Sequence, residues 1–361
     1  MISFKKIALL IALLLIIGSS FSLAQKERFN RVGDNPGTLY GAKSIWKPQW
    51  FQGHNKQHSY FEGWYFKIVS ANGNHRFAFI PGISLGEDAH AFVQFIDGQT
   101  GKTQYHRYDL EDFYYSSNRF AVWVGPNFFS ADSFFVELGT GSELILGKGL
   151  IHNRVEYPIK PLTPGIMGWY RFVPFMECFH GVVSIDHTLS GDFLINNKVI
   201  SFDNGKGYIE KDWGKSMPSA WIWTQSNTFD DGSNTSFMLS IANIPWIGRS
   251  FTGFLGFLWV NDKLYRFATY TGAKISELKR DDDRIEVIIK DKDFTIEFIG
   301  LKGKRGELLA PVAGDMSRTI HESIDAEIQV TLWDKNGKML YQGKAHNAGL
   351  ELVGDIEKLN P

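Results

Sequence analysis

The chain has 361 residues, with 38 basic residues against 39 acidic ones and a formal net charge of −1. It lacks the basic excess that a phosphate backbone demands, so nucleic acid is not an expected partner. Cys178 is the single cysteine, which rules out an intramolecular disulfide, and a chain of this length can bury a core without one.

Lys5 and Lys6, the apolar run from Ile7 to Ile17 and the small residues ending at Ser22-Leu23-Ala24 form the three-part pattern of a secretory leader. No acidic residue occurs before Glu27. Cleavage is expected after Ala24, giving an exported protein, periplasmic or extracellular, with an uncleaved N-terminal anchor as the plainer alternative. From there on, no long segment has helical periodicity. Short aromatic and β-branched runs recur instead between turn signals, so the fold class expected is all-β and antiparallel. The first such run is Phe61-Glu62-Gly63-Trp64-Tyr65-Phe66-Lys67, before a turn at Asn72-Gly73-Asn74. The stretch from Pro158 to Pro174, with Gly165 and Gly168, is the expected junction between an N-terminal domain over 25–170 and a C-terminal one over 171–361. Hairpins are then expected around Asn196-Asn197-Lys198, Asn261-Asp262-Lys263 and Lys335-Asn336-Gly337, with another from Arg284 to Ile299. Ala220-Trp221-Ile222-Trp223 echoes Gly63-Trp64-Tyr65-Phe66, each an aromatic strand opening a hairpin, as two similar barrels would require.

Aromatic residues make up 15% of the chain, with 11 Trp, 13 Tyr and 29 Phe, enough for a dense core or for the wall of an apolar pocket. Three blocks set acids and histidines among them. In the first, strand alternation puts Glu62, Trp64 and Phe66 on one face and Gly63, Tyr65 and Lys67 on the other. A carboxylate among inward aromatics must be paired or protonated, unless Glu62 and Lys67 sit at a solvent edge. The second, Pro174 to Ser184, holds Glu177 and His180, which have the chemistry for proton transfer. Cys178 beside His180 lacks any mark of an oxyanion hole, and His54, His58, His180 and His187 match no metal-ligand spacing. The third runs from Gly207 to Asn227. An extended Glu210-Lys211-Asp212 puts both carboxylates on one face, where each raises the other's affinity for a proton. The plainer alternative is a charged loop neutralised by Lys211.

Through Phe61 to Lys67, Phe175 to Cys178 with His180-Gly181-Val182, and Glu210 to Gly214 with Trp221, Trp223 and Gln225, the sequence resembles the tocopherol cyclase family. A closing segment from Ala310-Pro311 through Met316, Arg318 and Glu322 to Ala348-Gly349-Leu350-Glu351 fits the same family. The family is similar to two-domain lipocalin-like proteins that include carotenoid hydratases, so the resemblance implies two linked lipocalin-like barrels. It also implies an intramolecular lyase, an isomerase that closes a chromanol ring: an acid protonates the alkene of a prenylated hydroquinone, and a phenolic oxygen captures the tertiary cation. Such chemistry needs a carboxyl kept neutral by burial, excluded water and aromatic faces.

The site expected from these readings takes its catalytic groups from Asp212, Glu210, His180, Glu62 and Glu177, with Asp212 favoured as the acid by analogy with the hydratases. Its ligand-binding groups are Trp64, Phe66, Trp213, Trp221, Trp223, Gln225 and Asn227. No cofactor and no metal are expected. The partner expected is a small apolar or prenylated aromatic ligand, with peripheral membrane contact. A secretory leader departs from the photosynthetic members, so another prenylated quinol or a terpenoid suits the pocket as well as a tocopherol precursor. Two other readings stay open: a lipocalin-like carrier that holds an apolar ligand unchanged, and a sugar-binding sandwich with its tryptophans in an open groove.

Overall fold

A computed structural model describes residues 29–360 apart from Phe175, Ser233 and Ile247. The leader read in residues 1–24 lies outside the described residues. The described residues form two large antiparallel sheets that curl into lipocalin-like barrels, one of 14 strands and one of 10. In the first sheet the central run of neighbours is Ile145–Val155, Cys178–Ser190, Gly205–Gly214, Tyr60–Val69 and Arg76–Leu85. In the second it is Arg249–Val260, Thr235–Trp246, Trp221–Ser226, Met339–Val353 and Asp315–Asp334.

Turn chemistry fixes the hairpins where the sequence marked them. Asn196 and Asn197, and likewise Asn261 and Asp262, all have φ between 50° and 61°, the left-handed pair that a two-residue hairpin turn requires. Burial then separates two kinds of strand. Arg284–Lys290 alternates, with Ile285, Val287 and Ile289 inward and Arg284, Glu286, Ile288 and Lys290 outward, because only one face meets a core. Tyr60–Val69 and Gly205–Gly214 are buried almost throughout, because one face points into the first barrel and the other packs on the second sheet.

Three large apolar clusters follow from this arrangement, beside a small one of Ala121, Trp123 and Phe128. The first barrel is filled by rings including Trp64, Phe66, Phe79, Phe134 and Phe193, and the second by aliphatic residues with Phe237, Phe267 and Phe298. The third lies between the sheets, where Tyr65, Val182, Ile185 and Tyr208 meet Trp221, Trp223, Phe257, Leu308 and Ile320. The two strands of the aromatic echo, Tyr60–Val69 and Trp221–Ser226, meet in that layer, and Tyr65 and Trp223 touch edge to face at 5.3 Å.

The domain boundary expected at residue 170 is corrected by the pairing. Cys178–Ser190 hydrogen-bonds to Ile145–Val155 on one side and to Gly205–Gly214 on the other, so the chain stays in the first sheet until Gly214 and enters the second at Trp221. The Pro- and Gly-rich stretch is a local excursion, a two-strand ribbon of Ile159–Lys160 with Thr163–Pro164 and a 3-10 turn at Gly168–Phe172. Its turn signals are real, but they mark a loop with an exposed tip and a buried run from Pro164 to Gly168.

Candidate active site

A cavity opens between the two sheets, with about 180 Å³ of room for the centres of water-sized molecules. Its wall is mostly apolar and comes from both sheets, with Phe61, Ile80, Phe92, Met176 and Met217 facing Phe251, Phe254, Leu308 and Met316. Two polar clusters interrupt it.

The first belongs to the first sheet. His180 and Asp212 are register partners on adjacent antiparallel strands, and the His180 ring lies between two carboxylates. Its Nδ1 is 2.8 Å from Asp212 Oδ1, its Nε2 is 3.4 Å from Glu210 Oε2, and the Tyr208 hydroxyl donates to the same Glu210 oxygen at 2.6 Å. Burial would lower the affinity of this ring for a proton, but Asp212 and Glu210 outweigh it and raise the pKa to about 10. His180 is therefore an imidazolium hydrogen-bonded to Asp212 through Nδ1 and paired by charge with Glu210 on its Nε2 side. These three side chains also form a potential metal-ligand group among the described residues, with ligand atoms within 4.8 Å of one another. Each ring nitrogen faces its own carboxylate, so binding one ion would require the ring to give up a contact.

The second cluster is shared between the sheets. Glu322 and Glu351 are register partners on Asp315–Asp334 and Met339–Val353, and both line the cavity. The Tyr65 hydroxyl donates to Glu322 Oε1 at 2.5 Å, and the Trp221 indole N–H donates to Glu351 Oε2 at 2.5 Å. Burial pushes the Glu322 carboxyl up to about 7, and burial together with the Glu322 charge pushes Glu351 up as well. Behind them, Lys67 is fully buried and donates to Gln225 Oε1 at 3.0 Å and to the Gln225 carbonyl at 3.2 Å. Burial lowers its pKa to about 7 against the pull of Glu322 and Glu210.

The residues read from sequence divide accordingly. Asp212, Glu210, His180, Trp221 and Trp223 line the cavity. Glu62 does not. It lies inside the first barrel, where its carboxylate accepts from Lys211 Nζ at 2.5 Å, from the Tyr60 hydroxyl and from the backbone N–H groups of Gln52 and Gly53. Neither Glu62 nor Lys67 reaches the solvent edge allowed for them above, since both are buried. Trp64, Phe66 and Trp213 also belong to the first barrel's core, and Lys211 Nζ lies 4.8 Å from the Trp64 ring and 4.7 Å from the Trp213 ring. Alternation puts Lys211 and Trp213 on the face opposite Glu210 and Asp212. Glu177 lies off the cavity wall, and what it supplies is its carbonyl, which accepts from the Lys215 N–H at 2.7 Å. Gln225 holds Lys67. Asn227 ties the sheets together by donating to Asp186 and to the Gly207 carbonyl, both at 2.8 Å. Burial raises the pKa of the Cys178 thiol, which removes the activation that a thiolate nucleophile would need.

Glu322 and Glu351 appeared in the sequence only as part of the closing resemblance. Each is a single acid on a long strand, and their pairing depends on bulges in the register between those strands.

A family model described as tocopherol cyclase-like matches residues 151–354, more than half of the chain. The chain belongs to the tocopherol cyclase-like family. The match takes in His180, Glu210, Asp212, Glu322 and Glu351, whereas the Phe61 to Lys67 block lies before it. Over 198 residues the chain is 22% identical to a rice protein (Oryza sativa subsp. japonica), "Probable tocopherol cyclase, chloroplastic", covering 52% of this chain and 42% of that one. The maize (Zea mays) tocopherol cyclase, also chloroplastic, is 21% identical over 198 residues, covering 52% and 41%. The chain thus spans less than half the length of these relatives. Among solved structures, that of CghA superposes with a TM-score of 0.50 at 8% identity, over 82% of this chain and 89% of that chain, a likeness of fold.

Proposed function

We propose that the protein is an acid-catalysed cyclase that closes a chromanol-type ring on a prenylated hydroquinone or a related isoprenoid within the cavity between the sheets. The observation that carries this reading is the wall itself: an apolar, ring-lined chamber into which both polar clusters point. The apolar lining suits a prenyl chain and keeps water from the cation. The faces of Trp221, Trp223 and Tyr65 suit the positive charge that develops on the alkene carbon. The clamped His180 with Glu210 and Asp212 suits a phenol, fixing its oxygen by hydrogen bonds and taking up the proton it loses on capturing the cation. Export through the leader read in residues 1–24 belongs to the same proposal, and so do a substrate drawn from a membrane and peripheral contact with it.

The carrier reading predicts that carboxylates are satisfied by partners, and the His180 clamp taken alone fits it. The experiment that separates the two is incubation of the purified protein with a panel of prenylated hydroquinones in deuterated water. A cyclase places deuterium on a new chromanol ring. A carrier returns the substrate unchanged and bound, which overturns the proposal. Equal turnover by Asp212→Asn removes Asp212 from any essential role.

A further inference from the structure

We propose that Glu322 and Glu351 share one proton between their carboxyl groups, and that this pair, rather than Asp212, is the acid that protonates the substrate alkene. The inference rests on the cyclase reading for its substrate, but the shared proton rests on the placement and bonding of the two side chains, whatever the substrate. The two residues face each other across adjacent strands, and each has one outer oxygen taken by a neutral donor, Tyr65 for Glu322 and Trp221 for Glu351. Glu322 Oε2 is buried and receives no donor from any other side chain. The Glu351 carboxyl lies within hydrogen-bond reach of Glu322, and a hydrogen on Glu351 supplies what that oxygen lacks. Two carboxylates this close, with Glu322 buried and both on a mostly apolar wall, do not both ionise, so one holds a proton at neutral pH.

The other cluster cannot do this as well. Its proton sits on His180 between two carboxylates that favour keeping it there, and a proton held so firmly is a poor donor to carbon. The two clusters then divide the reaction. The carboxyl O–H of the pair breaks as the alkene π electrons form the new C–H bond, leaving a tertiary cation. The phenolic oxygen closes on the cation, forming the C–O bond, and its O–H proton passes to the Glu210 and Asp212 carboxylates. After the product leaves, that proton passes to solvent at the open cavity and the pair takes one up from it, so the net change is an isomerisation that needs no co-reactant.

The test has an arm that does not depend on turnover. Infrared spectra of the full chain at neutral pH should contain a protonated-carboxyl C=O stretch that disappears in the Glu322→Gln, Glu351→Gln double variant and persists in Glu62→Gln. A band that survives in the double variant overturns the shared proton. In the turnover assay, Glu351→Gln should lower kcat by about a hundredfold or more, Glu351→Asp should restore part of that loss, and Asp212→Asn, which leaves Glu210 to take the phenol's proton, should lower kcat less than Glu351→Gln does. Wild-type kcat in both single Gln variants overturns the acid assignment. No turnover by the wild type overturns the cyclase reading together with the acid role, while the infrared band still decides the shared proton.

Discussion

Replacing His180 by glutamine tests the charge clamp at the centre of the first cluster. Glutamine keeps a side-chain donor for one carboxylate, carries no charge and cannot serve both. In the native protein the ring holds its proton up to about pH 10 against an ordinary value of 6.5, because Asp212 and Glu210 outweigh the cost of burying it. At about 1.4 kcal/mol per pH unit, this bounds the clamp's contribution to stability at about 5 kcal/mol. The variant's two carboxylates can relieve their repulsion by taking up a proton, so the expected loss near neutral pH is smaller, about 2–4 kcal/mol. The sign follows from proton counting. Between 6.5 and about 10 the folded chain binds a proton that the unfolded chain has released. The clamp's contribution is therefore complete below 6.5, falls as the pH rises and is gone above about 10. Urea unfolding of both chains across this range reads it directly, since lysines that titrate in the same window, Lys67 and Lys211, are common to both. The difference in stability between the two chains should shrink as pH rises, by up to about 1.4 kcal/mol per pH unit. Parallel pH dependences would refute the clamp.

Lys211→Met should cost about 3–5 kcal/mol in urea unfolding, because it leaves the buried Glu62 carboxylate without its cation. Adding Glu62→Gln should recover much of that loss, and no recovery would mean that the lysine acts through packing alone. Gly63 lines the cavity, and a Cβ there would meet only the Pro81 carbonyl at 3.7 Å and Ile80 at 3.8 Å. Gly63→Val should therefore fold normally yet weaken the binding of an apolar fluorescent ligand by about tenfold; unchanged affinity would place the ligand elsewhere. Gly214 has φ +151°, and a Cβ there would come within 2.1 Å of the Glu177 carbonyl. Gly214→Ala should lower thermal stability measurably and disturb Asp212 two residues away, whereas a wild-type melting curve would show that this approach relaxes freely.

The fold was legible because strand alternation and turn residues are local signals. The pairs Asn196-Asn197 and Asn261-Asp262 name their hairpins, and alternation correctly divided Glu62, Trp64 and Phe66 from Tyr65 and Lys67. Alternation does not say which face meets a cavity. Glu62, Trp64 and Phe66 read as site residues because acids among aromatics are unusual, and the reason for them turned out to be a buried ion pair inside a filled barrel. Glu322 and Glu351 carried no local signal, since each gains its meaning from a partner on another strand and from Tyr65, 257 positions away from Glu322 in the chain. The domain boundary failed for a similar reason: proline and glycine report a turn, and only long-range pairing reports which sheet the chain rejoins.

Setting the cavity between the sheets rather than inside a barrel links the two faces of one strand. Along Gly205–Gly214, Ile209, Lys211 and Trp213 point into the first barrel while Tyr208, Glu210 and Asp212 point toward the second sheet. A slip of one residue against Tyr60–Val69 would bury both carboxylates among phenylalanine rings and turn Lys211 into the cavity. The Lys211 to Glu62 pair opposes that slip, because a buried ammonium finds its carboxylate, the Pro48 and Trp50 carbonyls and two indole faces in one register only. The solid barrel is thus a rigid backing that sets where Glu210 and Asp212 stand. The second sheet brings Glu322 and Glu351 to the same cavity, so an acid pair and a hydroxyl-binding group far apart in sequence face one space, with Lys67 under the charge of Glu322 and Glu210 together.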